Sequence, residues 1–170
     1  MLGAVVMMTT PGVPMLFMGQ DFLATAPFTS DAPPLAPPGP EGARVRAFYR
    51  DMIRLRRNLD GGAGGLEDPG VEILHRNDAA KVLAYRRHGS SGEDVLVVVN
   101  LASTAYAGYD VGVADAAPWR VRLDPALAAY GSDFTGTPQG TLTPAQRTTD
   151  GRPYSLRVAL GAYGALVLTR

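Results

Sequence analysis

The sequence predicts a mainly β chain: a C-terminal antiparallel β-sandwich over residues 63–170, preceded over 1–62 by a piece holding one apolar strand and helices. Three observations predict it. From residue 70 onward, short apolar and β-branched runs recur between Gly-, Pro- and Asp-rich turns, with no helix among them. Residues 41–58 carry the one clear helical period. Residues 13–18, VPMLFM, are apolar without alternation and bounded by Pro11-Gly12 and Gly19, the pattern of a strand covered on both faces.

Each element follows from its residues. LGAVVMM at 2–8 reads as the last two turns of a helix, stopped by Pro11-Gly12. The strand 13–18 comes next and leads into Gln20-Asp21. Residues 24–42 form a Pro-rich loop. In the helix 41–58, Val45, Phe48, Tyr49, Met52, Ile53 and Arg56 fall on one face. The stem of Arg56 can cover apolar surface there. Glu41 at the start and Arg54, Arg56 and Arg57 at the end suit the helix dipole, and the arginines read as a solvated face. Gly61-Gly62 ends the helix. Strands follow at 71–76, 80–87, 94–101, 107–113, 118–123, 154–160 and 164–169, with a hairpin signal at Asn77-Asp78. VLVVVNL at 95–101 is the most apolar and is expected to be central. Residues 124–152 read as loop.

Composition narrows the chemistry. The 170 residues carry a net charge of zero, so nothing electrostatic points to nucleic acid or an anionic membrane. Cysteine is absent, which removes disulfides and thiolate catalysis. His75 and His88 are the only histidines, too few for a triad or a multi-His centre, so no metal and no cofactor is expected. Pro11 and Pro14 interrupt the uncharged start, which lacks the basic residues of an export signal and the length of a membrane span. A soluble, cytoplasmic protein is the expectation.

The N-terminal piece poses a physical problem. A strand apolar on both faces needs cover on both, and no second parallel strand is visible to pair with it. Leaving Val5, Val6, Met7, Met8, Val13, Met15, Leu16, Phe17 and Met18 in water would forgo on the order of 15–25 kcal/mol of burial. That exceeds the roughly 5–15 kcal/mol that holds a typical domain together. The segment should pack on the β-domain, meet another chain, or belong to a larger protein.

The residues favour the last option. TPGVPMLFMGQD (Thr10–Asp21) resembles the segment around the eighth barrel strand of the α-amylase superfamily, glycoside hydrolase family thirteen, and is closest in wording to the 1,4-α-glucan (glycogen) branching enzymes. FYRDMIRLRRN (Phe48–Asn58), KVLAYRR (Lys81–Arg87), DVLVVVNLA (Asp94–Ala102), WRVRLD (Trp119–Asp124) and GAYGALVLTR (Gly161–Arg170) resemble later segments of that family, in order. The resemblance implies that residues 1–62 are the last strand and helix of a (β/α)8 barrel that cleaves and rejoins α-1,4-glucan. The family's three carboxylates precede the segment matched here, so the resemblance implies that the chain holds no catalytic residue of its own. Its implied partners are an α-glucan and the rest of the barrel.

Gln20 and Asp21 would then end a barrel strand, on the face where such enzymes build their sites, and are the candidate substrate-binding residues. The family usually has Glu where Asp21 stands. Its acidic-Pro-Leu-Asp-Trp stretch is replaced here by Asp31–Pro38, without the Asp-Trp. The alternative is a non-catalytic carbohydrate-binding or barrel-completing module. For such a module Tyr106, Tyr109, Trp119 and Tyr130 could offer a sugar-stacking face, although such residues more often fill a sandwich core. Asp115, Asp124 and Asp133 read as solvated turn carboxylates.

Overall fold

The computed structural model of the chain describes residues 1–25 and 39–170. Most of the Pro-rich segment, including Asp31–Pro38, lies outside the described residues. Among the described residues two α-helices, α1 (Leu2–Thr9) and α2 (Pro40–Arg56), precede nine strands. These are β1 (Val71–Asn77), β2 (Val82–Arg87), β3 (Val95–Asn100), β4 (Tyr106–Val113), β5 (Trp119–Leu123), β6 (Thr141–Leu142), β7 (Ala145–Thr149), β8 (Arg152–Leu160) and β9 (Ala165–Thr169). They form a six-stranded sheet, β1-β2-β3-β9-β5-β6, and a three-stranded sheet, β4-β8-β7. All ladder pairings between these strands are antiparallel, as the turn-separated runs require.

The chain stacks as three layers: helices, large sheet, small sheet. β3 explains the stacking. Its six residues are all buried, and alternate side chains leave opposite faces. Val95, Val97 and Val99 enter a core with Val5, Met8, Phe48 and Met52 from the helices. Leu96 and Val98 enter a second core with Val111, Trp119, Leu156 and Leu160. β9 divides the same way, Val167 to the helices and Leu166 and Leu168 to the small sheet. A strand sandwiched between two apolar layers loses the polar half of its alternation, which is why β3 reads as a continuous apolar run.

Residues 13–18, read from the sequence as a strand covered on both faces, do not form one in the chain by itself. They form no strand, and Val13, Met15, Phe17 and Met18 are 97%, 79%, 56% and 55% exposed. A strand exists only where a neighbour completes its ladder, and no strand of either sheet pairs with this segment. α1, by contrast, buries Val5 and Met8 against α2 and the large sheet. The helical-face core draws residues from both sides of position 62.

Three smaller corrections have simple causes. β6 and β7 lie within the stretch read as loop: β6 has only two residues and β7, AQRTT, is exposed along almost its whole length. Neither has the buried face from which strands are recognised in a sequence. On α2 it is Leu55, not Ile53, that is buried, because the helix turns its last stripe toward α1 and the sheet. Tyr130 and Trp119 are core residues. Tyr130 packs edge-on against Phe48 at 5.6 Å, and Trp119 is 1% exposed, which removes it from any flat sugar-binding face.

Candidate functional site

The two candidate residues stand at the end of the exposed segment, in a tight turn that Gly19 makes possible. Gly19 has φ 82°, a left-handed conformation that a Cβ disfavours, and Gln20–Phe22 wind into one turn of 3-10 helix. The Gln20 amide N–H donates to the Phe17 carbonyl at 2.9 Å. The Gln20 side chain closes the turn, its Oε1 accepting from the Phe17 N–H at 3.2 Å. Its Nε2 donates to the Tyr49 hydroxyl at 3.1 Å. Asp21 Oδ2 accepts from Arg46 Nε at 3.3 Å, and the Arg46 guanidinium stacks 4.4 Å from the centre of the Phe22 ring. The turn is thus fastened to one face of α2 by Tyr49 and Arg46.

Beside it lies an open cavity of about 290 Å³, lined by Leu16, Asp21, Arg46, Tyr49, Arg50 and Ile53. Leu16, Ile53 and Tyr49 supply an apolar wall, while Asp21 and the arginines supply a carboxylate and charged donors. A surface of this mixture can hold a polyhydroxylated ligand by donor–acceptor pairs over an apolar floor. It holds no nucleophile–base pair. Asp21 is bound to a guanidinium, which suits it to accepting hydrogen bonds or orienting a neighbour and not to proton transfer. Among the described residues no group of three or more His, Asp or Glu is placed to hold a metal ion.

Sequence reasoning missed the parts that hold this region in place. Arg56 donates from Nη1 to the carbonyls of Met8 (3.2 Å) and Thr10 (2.9 Å), and from Nη2 to that of Gly12 (2.7 Å). Arg87, fully buried, donates to the carbonyls of Thr9, Leu66, Asp68 and Gly70. Two guanidiniums therefore cap the carbonyl end of α1, where the helix dipole is negative. Burial, and then the nearby Arg56 charge, push the Arg87 pKa down. Arg56 is thus not part of a solvated face. Arg46 and Arg54 pair with Asp21 and Asp60 at the surface. The Thr9 hydroxyl also meets the Tyr85 hydroxyl at 2.5 Å, tying α1 to β2. The arginines were visible; their partners are backbone carbonyls, which leave no mark in a sequence.

The other singled-out residues are dispersed. His75 lies between Asp150 and Tyr109, 2.8 Å from each, while His88 sits 3.2 Å from Glu72. Tyr106 and Tyr109 stack edge-on at 5.1 Å, half-buried at the second core. Asp115 pairs with Arg170 and Asp133 is exposed. Asp124 is not a solvated turn carboxylate: it is buried, accepts from the Ala126 N–H at 2.9 Å, and borders a second open groove of about 620 Å³ beside Phe134 and Tyr163.

Sequence comparison covers the same strands. The profile of the family described as alpha amylase, C-terminal all-beta domain, matches residues 73–170, all nine strands but the first two residues of β1. The chain belongs to that family. The α-amylase C-terminal domain is here joined to α1, α2 and the exposed segment, and curated relatives match across both parts. The chain is 32% identical to the 1,4-alpha-glucan branching enzyme GlgB 1 of Xanthomonas euvesicatoria over 96% of its length, and 31% identical to the GlgB of Rhodococcus jostii over 94%. It is 32% identical to the GlgB of Dechloromonas aromatica over 95%. The chain spans only 23–26% of the length of these relatives. No helix among the described residues is long and apolar enough to cross a membrane.

Proposed function

We propose that this chain is the C-terminal part of an α-glucan-acting enzyme of the branching type, lacking the catalytic carboxylates itself. In this reading residues 1–62 supply the last strand and helix of a (β/α)8 barrel, residues 13–18 being that strand, and the β-domain braces the barrel from outside. The observation that carries the proposal is the contrast within one short segment. Val13, Met15 and Met18 are each more than half exposed, yet the turn directly after them is fastened to α2 through Gln20–Tyr49 and Asp21–Arg46. A polypeptide that fastens a turn with side-chain contacts while Val13, Met15 and Met18 stay exposed among the described residues is shaped to receive something there. The family matched and the names of the relatives support the rest of the barrel as the occupant, and support α-glucan as the substrate.

Gln20 and Asp21 then stand at the C-terminal end of the barrel strand, on the glucan side. Asp21, locked by Arg46, accepts hydrogen bonds from sugar hydroxyls or orients a neighbouring side chain. Bond cleavage and transfer belong to carboxylates elsewhere in the barrel, acting by the retaining route. The experiment is an assay of the 170-residue chain on amylose, following iodine colour and the chain-length profile after debranching. The expected outcome is no branching and no hydrolysis. Enzyme-like turnover by the chain alone would overturn the proposal.

A further inference from the structure

The groove that Asp124 borders measures about 620 Å³, within the range of clefts that hold small ligands, with room for roughly two or three sugar units. One wall is the segment between β5 and β6; the other is the Gly161–Gly164 turn between β8 and β9. Backbone contacts fix both walls. The Gly136 N–H donates to the Ala126 carbonyl at 2.9 Å. The Gln139 side chain grips β8 at Ala159, its Nε2 donating to the carbonyl at 2.9 Å and its Oε1 accepting from the N–H at 2.8 Å. The Tyr163 N–H donates to the Ala102 carbonyl at 2.9 Å.

The lining defines the ligand. Among the described residues it includes no Lys, Arg or His, so a phosphate or carboxylate would meet no side-chain cation there. Tyr163 is 61% exposed and sits at φ 47°, a left-handed conformation that is rare and costly for a bulky residue. The turn holds an aromatic ring in water at a position better suited to glycine or asparagine. Thr135 and Thr137 are exposed on the other wall. Among the described residues their hydroxyls and that of Tyr163 have no hydrogen-bond partner. Asp124 is buried, and its carboxylate keeps acceptor capacity beyond the Ala126 N–H. An aromatic ring, free hydroxyls and a carboxylate, without cations, suit a neutral polyol. The ring stacks on an apolar sugar face, and the oxygens pair with sugar hydroxyls.

Position relates the groove to the Gln20–Asp21 turn. The segment that forms the first wall is tied to the start of α2: the Ser132 N–H donates to Glu41 Oε2 at 3.3 Å, and Arg44 Nη1 donates to the Ala128 carbonyl at 2.8 Å. Arg46, which holds Asp21, lies on the same half of that helix. We propose that the groove is a second holding site for α-glucan, with Tyr163 as its stacking platform and Asp124, Thr135 and Thr137 as partners for sugar hydroxyls. It performs no bond chemistry; it keeps a long glucan beside the barrel. The proposal rests on the α-glucan reading above and adds a separate site to it.

The test is an NMR titration of the ¹⁵N-labelled chain with maltoheptaose. Saturating shifts of the Thr135, Thr137 and Tyr163 amides are expected. Tyr163→Asn removes the ring and accepts the left-handed backbone, and is expected to raise the midpoint roughly tenfold, the worth of about one aromatic contact. Shifts confined to Gln20–Phe22, or an unchanged midpoint in the variant, would overturn the proposal. So would shifts of the groove amides by spermidine and not by maltoheptaose, which would make it a cation site. Should Tyr163→Asn unfold, the double variant Thr135→Val, Thr137→Val decides by the same midpoint, since it removes both hydroxyls and keeps their shape. Cellohexaose separates this proposal from the reading it rests on. Groove shifts with cellohexaose and none with maltoheptaose would refute α-glucan as the occupant, whereas no groove shifts with either would refute the groove alone.

Discussion

Arg87 shows how much of this fold depends on one side chain. Its guanidinium is buried with backbone carbonyls as partners, reaching α1 through Thr9 and the connection before β1 through Leu66, Asp68 and Gly70. Arg87→Ala would strand those carbonyls and open a cavity under α1. A loss of about 3 kcal/mol is expected, read from urea unfolding of the chain. Asp124 acts in the opposite sense. Burial raises its pKa from the ordinary 3.8, against the Ala126 N–H and the Gln139 amide, which pull it down. The folded state therefore holds the proton more tightly than the unfolded chain. The stability linked to this group is complete below pH 3.8 and is lost as pH rises through the higher folded value. At neutral pH the buried carboxylate is a cost. Asp124→Asn keeps an acceptor for the Ala126 N–H, and should raise the melting midpoint at pH 7 by about 2–4 °C, with the gain fading toward pH 3.

At the scale of elements, β3 and residues 13–18 present the same sequence signal with opposite outcomes. Both are short apolar runs without alternation. β3 has β2 and β9 as neighbours and a core on each face; the earlier segment has neither. Val97→Ala and Val98→Ala point to opposite cores. Each should cost about 2 kcal/mol in thermal or urea unfolding. A strand with one wet face would show the loss at only one of the two positions. The helices, the succession of most strands along the chain and the centrality of β3 were legible in the sequence because periodicity and turn residues record them. β6 and β7 were not, because exposed edge residues have no pattern to read. Tyr49 and Arg46 were visible on α2, but their pairing with Gln20 and Asp21 spans more than 20 residues and needs the fold to bring them together. The carbonyl partners of Arg56 and Arg87 could not be read at all.

For the whole molecule, the three layers make the β-domain and the two helices one packed body, while the apolar run at 13–18 keeps Val13, Met15 and Met18 exposed among the described residues. If that run is a barrel strand, its exposure ends when the remainder of a barrel is present. The decisive measurement is a graft. The chain replaces the matching 23% of the Rhodococcus jostii 1,4-alpha-glucan branching enzyme GlgB, and branching of amylose is measured beside the same graft carrying Met15→Asp and Phe17→Asp. The account predicts branching in the first and its loss in the second. A folded, monodisperse first graft without branching, or a second graft as active as the first, would contradict it.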